Sequence, residues 1–213
     1  MFPNESREYR TQRDQLRRKE SELRSLTEEV ASLRRRLPPG GRVEQAYEFY
    51  ETNGTKTKLS TLFEGSKTSL FIYHFMFSTS MDRPCSMCAS LLDGIHAQVR
   101  QLTEKINVAI LADRDPESLG AWQSDRPWPF FKMLSSQGSD FIKDYRCESE
   151  SGQALPMFHV FSKRGQEIFH MWGSELMFEK TPGDPRHADL FWPLWGILDL
   201  CPEGRGDHWY PSL

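Results

Sequence analysis

Two nearly unbroken apolar segments, Leu70 to Phe77 and Ile106 to Ala112, flank a stretch that runs from Cys85 through Leu91, Leu92, Ile95, Val99 and Leu102 at helical spacing. A strand can be apolar at every position only where both of its faces are covered. Strand, helix, strand in this order closes as a parallel pair with a right-handed crossover. This unit, with a helix over residues 85–103, constrains the chain more than any other feature, and the remaining segments must be built around it. Upstream, Ala46 to Glu51 alternates aromatic with charged residues, Asn53-Gly54 offers a turn, and Thr55 to Leu59 is β-prone, which predicts a hairpin. Downstream, Met157 to Ser162 and Glu167 to Trp172 flank Lys163-Arg164-Gly165-Gln166 as a second antiparallel pair. Between them the pattern weakens, with a helix expected near Pro116 to Trp122 and a cluster at Pro127-Trp128-Pro129. A last amphipathic stretch, Ala188 to Leu200, has Pro193 to kink it or mark its first turn.

Residues 5–37 are of a different kind. They contain neither Gly nor Pro and are dense in Arg, Glu, Leu and Ser, which is helical composition. Tyr9, Leu16, Leu23, Val30 and Leu37 recur every seven residues; Leu26 and Leu33 supply the offset row, which Gln12 and Lys19 interrupt. One long helix with an apolar seam follows, and the seam needs a cover. A second copy of the chain, giving a homodimer, is expected ahead of packing on the chain's own body. Arg34-Arg35-Arg36 reads as cations completing the last turn before Leu37-Pro38-Pro39 ends the helix. The domains expected are a helical arm over 1–40 and an α/β domain over 41–213.

Composition removes several classes of function. With 27 Lys and Arg against 30 Asp and Glu, the net charge of −3 gives no electrostatic footprint for nucleic acid. The longest apolar run, broken by Tyr73 and His74, falls far short of the roughly 20 residues a membrane span needs. The N-terminus carries Glu5 and Glu8 where a secretion signal would be basic and then apolar, so the expected location is cytoplasmic and no membrane is expected as a partner. No Gly-x-Gly-x-x-Gly run, phosphate loop or Gly-x-Ser-x-Gly elbow is present, so no cofactor is assigned.

Four cysteines in 213 residues are too few for a disulfide scaffold, and in a reducing compartment a close pair points to catalysis or metal binding. Cys85 and Cys88, in Pro84-Cys85-Ser86-Met87-Cys88, are such a pair. Their place between a buried strand and an amphipathic helix is where a thioredoxin-type motif belongs. The helix start would favour the thiolate of Cys85 as the nucleophile, and Cys88 would resolve the mixed disulfide. The competing reading makes Cys88 a small apolar residue facing the sheet. Pro156, directly before a strand, occupies the place where thioredoxin folds put a cis proline beside the cysteines, and it is the third expected site residue; otherwise it is a trans proline at a strand start. His74 and His159 are candidates to join the cysteines in a Cys2His or Cys2His2 metal site, against the reading of hydrogen-bonded core histidines. His170, His187 and His208 are expected on the surface or in loops. Cys147 and Cys201 are read as free thiols, and Asp113-Arg114-Asp115 as a solvated loop.

The chain resembles a family of bacterial thioredoxin-like proteins catalogued as a domain of unknown function. The resemblance rests on Leu33-Arg34-Arg35-Arg36-Leu37-Pro38, Tyr73-His74-Phe75-Met76-Phe77, Cys85-Ser86-Met87-Cys88, Leu134-Ser135-Ser136, Trp172-Gly173-Ser174-Glu175-Leu176, Asp184-Pro185-Arg186-His187, Leu198-Asp199-Leu200 and Pro202-Glu203-Gly204-Arg205-Gly206. It spans nearly the whole chain. Cys201 stands where the family usually has threonine, and Ser86 where it often has proline. The resemblance implies a thioredoxin-like three-layer α/β sandwich with a central mixed sheet, preceded by a helical arm, and it implies no reaction.

The leading function is therefore a thiol-disulfide oxidoreductase or thiol-dependent reductase acting on a disulfide or peroxide. Peroxiredoxin-like proteins place a threonine three residues before the reactive cysteine, whereas Asp82 stands there in this chain. The alternatives are a copper-type metal-binding thioredoxin fold and a non-catalytic dimeric binding module.

Overall fold

The computed structural model describes residues 2–126, 128–178, 186–206 and 209–213. Its chain divides into two compact units, Met1–Pro39 and Gly40–Leu213.

The first unit is one helix, α1 (Arg7–Arg36). Ser6 caps it by accepting the Tyr9 N–H at 3.0 Å, and Arg34, Arg35 and Arg36 lie in the last turn, where cations complement the dipole. Ion pairs one to two turns apart line its polar faces, among them Arg10–Asp14, Arg13–Glu20 and Lys19–Glu22. No residue of α1 is buried, and Leu16, Leu23, Leu26 and Leu33 of its seam are 51–62% exposed.

The second unit is built on a seven-stranded mixed sheet. In chain order its elements are β1 (Glu48–Glu51), β2 (Lys56–Lys58), a 3-10 turn at Leu59–Leu62, β3 (Ser69–His74), α2 (Ser86–His96), α3 (Val99–Lys105), β4 (Asn107–Ala112), α4 (Pro116–Asp125), β5 (Lys132–Ser135), α5 (Phe141–Asp144), β6 (Met157–Arg164) and β7 (Glu167–Gly173). Two further 3-10 turns, Glu175–Phe178 and Arg186–Phe191, precede α6 (Pro193–Leu198). The strands lie in the order β2-β1-β5-β4-β3-β6-β7. The pairs β3/β4 and β4/β5 are parallel, and all the others are antiparallel.

The period-2 alternation of β3 divides the core. Phe71 and Tyr73 face a cluster holding Leu91, Leu92 and Ile95 of α2, Leu119 of α4 and Trp195 of α6. Leu70 and Ile72 face the opposite cluster, with Phe49, Phe141, Phe161 and the 3-10 residues Leu59 and Leu62. Coverage on both faces accounts for the unbroken apolar character of β3 and β4.

Two details depart from the sequence reading. The expected helix over 85–103 is two helices, because Gln98 leaves helical geometry (φ −117°, ψ 1°) and its N–H takes the Ile95 carbonyl in a tightened turn. The break lets Val99 remain buried against the sheet beside Ile95. Strand β5 and helix α5, each four residues, are too short to show a period and lie in the stretch where the pattern weakens. Pro193 takes the first turn of α6, where its missing N–H costs nothing.

Candidate active site

Past His74, the chain leaves the end of β3 as a loop that must turn back to start α2. Three hydrogen bonds hold this turn. The Cys85 N–H donates to the Met76 carbonyl at 3.0 Å, and Arg114, just past the end of β4, donates from Nη1 to the carbonyls of Ser78 and Met81 at 3.2 and 3.0 Å. The Arg114 guanidinium also lies over the Phe77 ring, 4.8 Å from its centre. The loop reading of Asp113-Arg114-Asp115 thus changes for its middle residue, which is largely buried and holds the approach to Cys85.

Cys85 is the N-cap of α2, and Cys88 lies in the helix's first turn. Both are reduced; Cys85 is partly exposed, whereas Cys88 is buried against the sheet. Their environments push them in opposite directions. The Cys85 thiol is lowered to about 6, chiefly by the hydrogen bond from the Cys88 side chain, with backbone N–H groups of Cys88 and Met87 adding to it against the cost of burial. The Cys88 thiol is raised well above its ordinary value by its bond to Cys85 and by burial. The two shifts are opposed, so of the pair Cys85 gives up its proton the more readily.

Tyr73 joins the pair from below. It points to the α2 face of β3, is 1% exposed, and stacks on Phe158 with ring centres 4.6 Å apart. Its hydroxyl hydrogen-bonds Cys88, which draws that thiol's value downward against the two larger effects. Burial and the neighbouring sulfurs raise the tyrosine far above its normal value, so it remains a neutral donor. The sequence reading singled out His74 and passed over Tyr73, although strand parity could have chosen between them: Tyr73 shares a face with Phe71 and so with the helix.

The same parity removes the histidines. His74 and His159 point away from the cysteines, so neither joins them and the Cys2His and Cys2His2 sites do not form. Burial keeps both neutral, at about 4 for His74 and about 3 for His159. His74 Nδ1–H donates to the Leu155 carbonyl at 2.7 Å. His159 lies between Cys147, with Nε2 3.7 Å from Sγ, and His170, with Nδ1 3.1 Å from Nε2. His170 was expected on the surface or in a loop; it is instead a partly buried residue of β7, placed there by the antiparallel pairing with β6. Cys147 is a free buried thiol raised by burial, and Cys201 is free and exposed. Among the described residues no group of three His, Cys, Asp or Glu is disposed to hold a metal ion. The side chain of His187, and His208 with Asp184 and Pro185 of the quoted motif, lie outside the described residues, as does Pro127.

Pro156 is partly buried directly before β6. The register Met157 against His74 sets it beside the strand end from which the Cys85 loop departs. The expected cis bond is not found; Leu155–Pro156 is trans. Trans is the intrinsic preference of an X-Pro bond, and Leu155 is pinned on both sides, its N–H on the Cys147 carbonyl and its own carbonyl on His74.

Among the described residues no helix is long and apolar enough to cross a membrane. A model of the family described as bacterial protein of unknown function (DUF899) matches residues 2–213. Among solved structures, the peroxidoxin BcpB of Mycobacterium tuberculosis superposes with a TM-score of 0.50 at 13% identity, over 74% of this chain and 95% of its own. The exposed lipoprotein thioredoxin Etrx1 of Streptococcus pneumoniae gives 0.42 at 13% identity, over 59% and 87%. BsSco, of the Sco family of cytochrome c oxidase assembly proteins, gives 0.41 at 16% identity, over 63% and 87%. At such identities the likeness is one of fold, and the fold is thioredoxin-like. No curated protein matches the chain.

Proposed function

Since the chain belongs to the DUF899 family of bacterial proteins, whose description carries no reaction, we propose from the site itself that it is a thiol-disulfide oxidoreductase working through Cys85 and Cys88. The observation that carries this reading is the placement of the two thiols, a partly exposed Cys85 at the N-cap of α2 and a buried Cys88 in its first turn, which tunes them in opposite directions. The Cys85 thiolate attacks one sulfur of a disulfide, forming a mixed disulfide and expelling the other sulfur as a thiolate that takes a proton. Cys88 then gives up its proton and attacks Cys85 Sγ; the second substrate sulfur leaves as a thiol, and the Cys85–Cys88 disulfide remains. The substrate gains two electrons, and an external dithiol returns the enzyme to its reduced form. Tyr73 donates to the Cys88 sulfur as its charge develops, and Pro156, beside the end of β3 from which the Cys85 loop departs, is the third residue assigned to the site.

A reducing compartment such as the cytoplasm would keep the resting pair reduced. The partner in this reading is a second copy of the chain, met along the apolar seam of α1. Peroxide is the second substrate class, suggested by the peroxidoxin among the structural relatives, with Asp82 in place of a threonine as the feature against it.

Turnover with a model disulfide and a dithiol donor, run beside a peroxide-consumption assay, tests the proposal. Cys85→Ser should abolish disulfide reduction, and Cys88→Ser should trap the mixed disulfide. Full turnover by Cys85→Ser, or an oxidised form that pairs other cysteines, would overturn the reading.

A further inference from the structure

We infer that α1 pairs with α1 of a second copy as a parallel two-stranded coiled coil. This deepens the partner assigned above and is independent of the redox chemistry. The exposed seam gives the register. With Tyr9, Leu16, Leu23, Val30 and Leu37 at position a, Leu26 and Leu33 fall at d, and the repeat persists over the roughly four heptads that 30 residues supply. No residue of α1 is buried, and Leu16, Leu23, Leu26 and Leu33 of the stripe are each more than half exposed.

The flanking charges identify that partner and its direction. Glu8 and Glu29 fall at g, and Arg13 and Arg34 fall at e, each five residues further on. In a parallel pair, g of one helix faces e of the next heptad in its partner. Glu8 then meets Arg13 and Glu29 meets Arg34, twice each by symmetry, and the remaining flanking positions, Gln15 with Glu20 and Glu22 with Thr27, bring no like charges together. In the antiparallel pairing that stacks a on d, g faces g and e faces e, so Glu22 meets Glu22 and Glu20 meets Glu20, and the one kind of attractive pair left is Glu8 with Arg36. A match encoded within one helix is what recognition of its own copy requires. Two d positions oppose the pairing, Gln12 facing Gln12 and Lys19 facing Lys19, the second with the Glu22 carboxylate 2.7 Å from each ammonium.

The test uses the full chain. Wild type should be a dimer by light scattering. Glu8→Arg/Glu29→Arg and Arg13→Glu/Arg34→Glu should each weaken the dimer by at least about tenfold, while circular dichroism reports an intact fold. Mixing the two variants should restore pairing as a heterodimer. Val30→Cys, in a chain carrying Cys85→Ser, Cys88→Ser and Cys201→Ser, should cross-link to itself on mild oxidation. A wild-type dimer in which Val30→Cys does not cross-link, or variants that do not recover on mixing, overturns the parallel pairing alone. A wild-type monomer overturns the partner assignment as well, and neither result bears on the redox reading.

Discussion

At pH 7 a thiol titrating at about 6 is about nine-tenths thiolate, so Cys85 should be alkylated ahead of Cys88, Cys147 and Cys201. Its rate should rise with pH through about 6 and level off above 7; a midpoint near 8.5 would show that the bond from Cys88 does not hold the charge. Tyr73 acts one step later. Its bond draws the Cys88 thiol down, so Tyr73→Phe should raise that thiol and slow resolution several-fold, with attack by Cys85 unchanged. Quenched-flow trapping should then find more mixed disulfide, which a purely structural role for the hydroxyl would not produce. On the other face, His74 and His159 are buried neutral, so well above pH 6.5 neither folded nor unfolded chain protonates them. As pH falls toward 4 the unfolded chain takes up protons that the folded one refuses, and stability drops by about 1.4 kcal/mol per pH unit for each histidine. Urea unfolding at pH 5 and pH 7 should differ by about 4 kcal/mol from these two groups, and His74→Gln should remove close to half of that difference.

Helix α2 holds the cysteines only as well as its packing holds it. Leu91, Leu92 and Ile95 are buried on the sheet, and the Trp128 Nε1–H donates to Asp93 at 2.7 Å, tying the helix to the segment before β5. Leu92→Ala should cost about 2 to 5 kcal/mol, read as a lower thermal midpoint, with the Cys85 alkylation midpoint unmoved. Arg114→Gln should do the reverse. It unpins the Ser78–Met81 turn while leaving the main core intact, so stability should change little and Cys85 reactivity should become heterogeneous. Equal loss of stability in both variants would show that Arg114 is a packing residue and nothing more.

For the whole molecule, the division at Pro39 leaves both cysteine-bearing and sheet-forming residues in the second unit. Removing residues 1–39 should therefore halve the mass seen by light scattering while retaining the fold and the thiolate at Cys85. A truncated chain that aggregates or loses the low thiol value would show that the arm supports the α/β unit directly. Helix α1 holds no buried residue, so its removal should be tolerated.

The sequence by itself determined the strand, helix, strand unit, the Cys85–Cys88 pair at its helix start, both hairpins, and the α1 seam, because each is local: period, turn residues and cap lie within a few positions of one another. It also led to the family, through motifs that run in register along the chain. The division of labour between neighbours on one strand was decided by tertiary structure. Tyr73 and His74 are adjacent, and only the side on which α2 packs makes the first a partner of Cys88 and the second a core histidine. Arg114 reads as loop until the turn after β3 folds over it, and His170 reads as surface until β7 pairs with β6. The bond before Pro156 is likewise trans, between a Leu155 held by residues 8 and 81 positions away and the start of β6. Long-range pairing chooses the face, and the face chooses the chemistry.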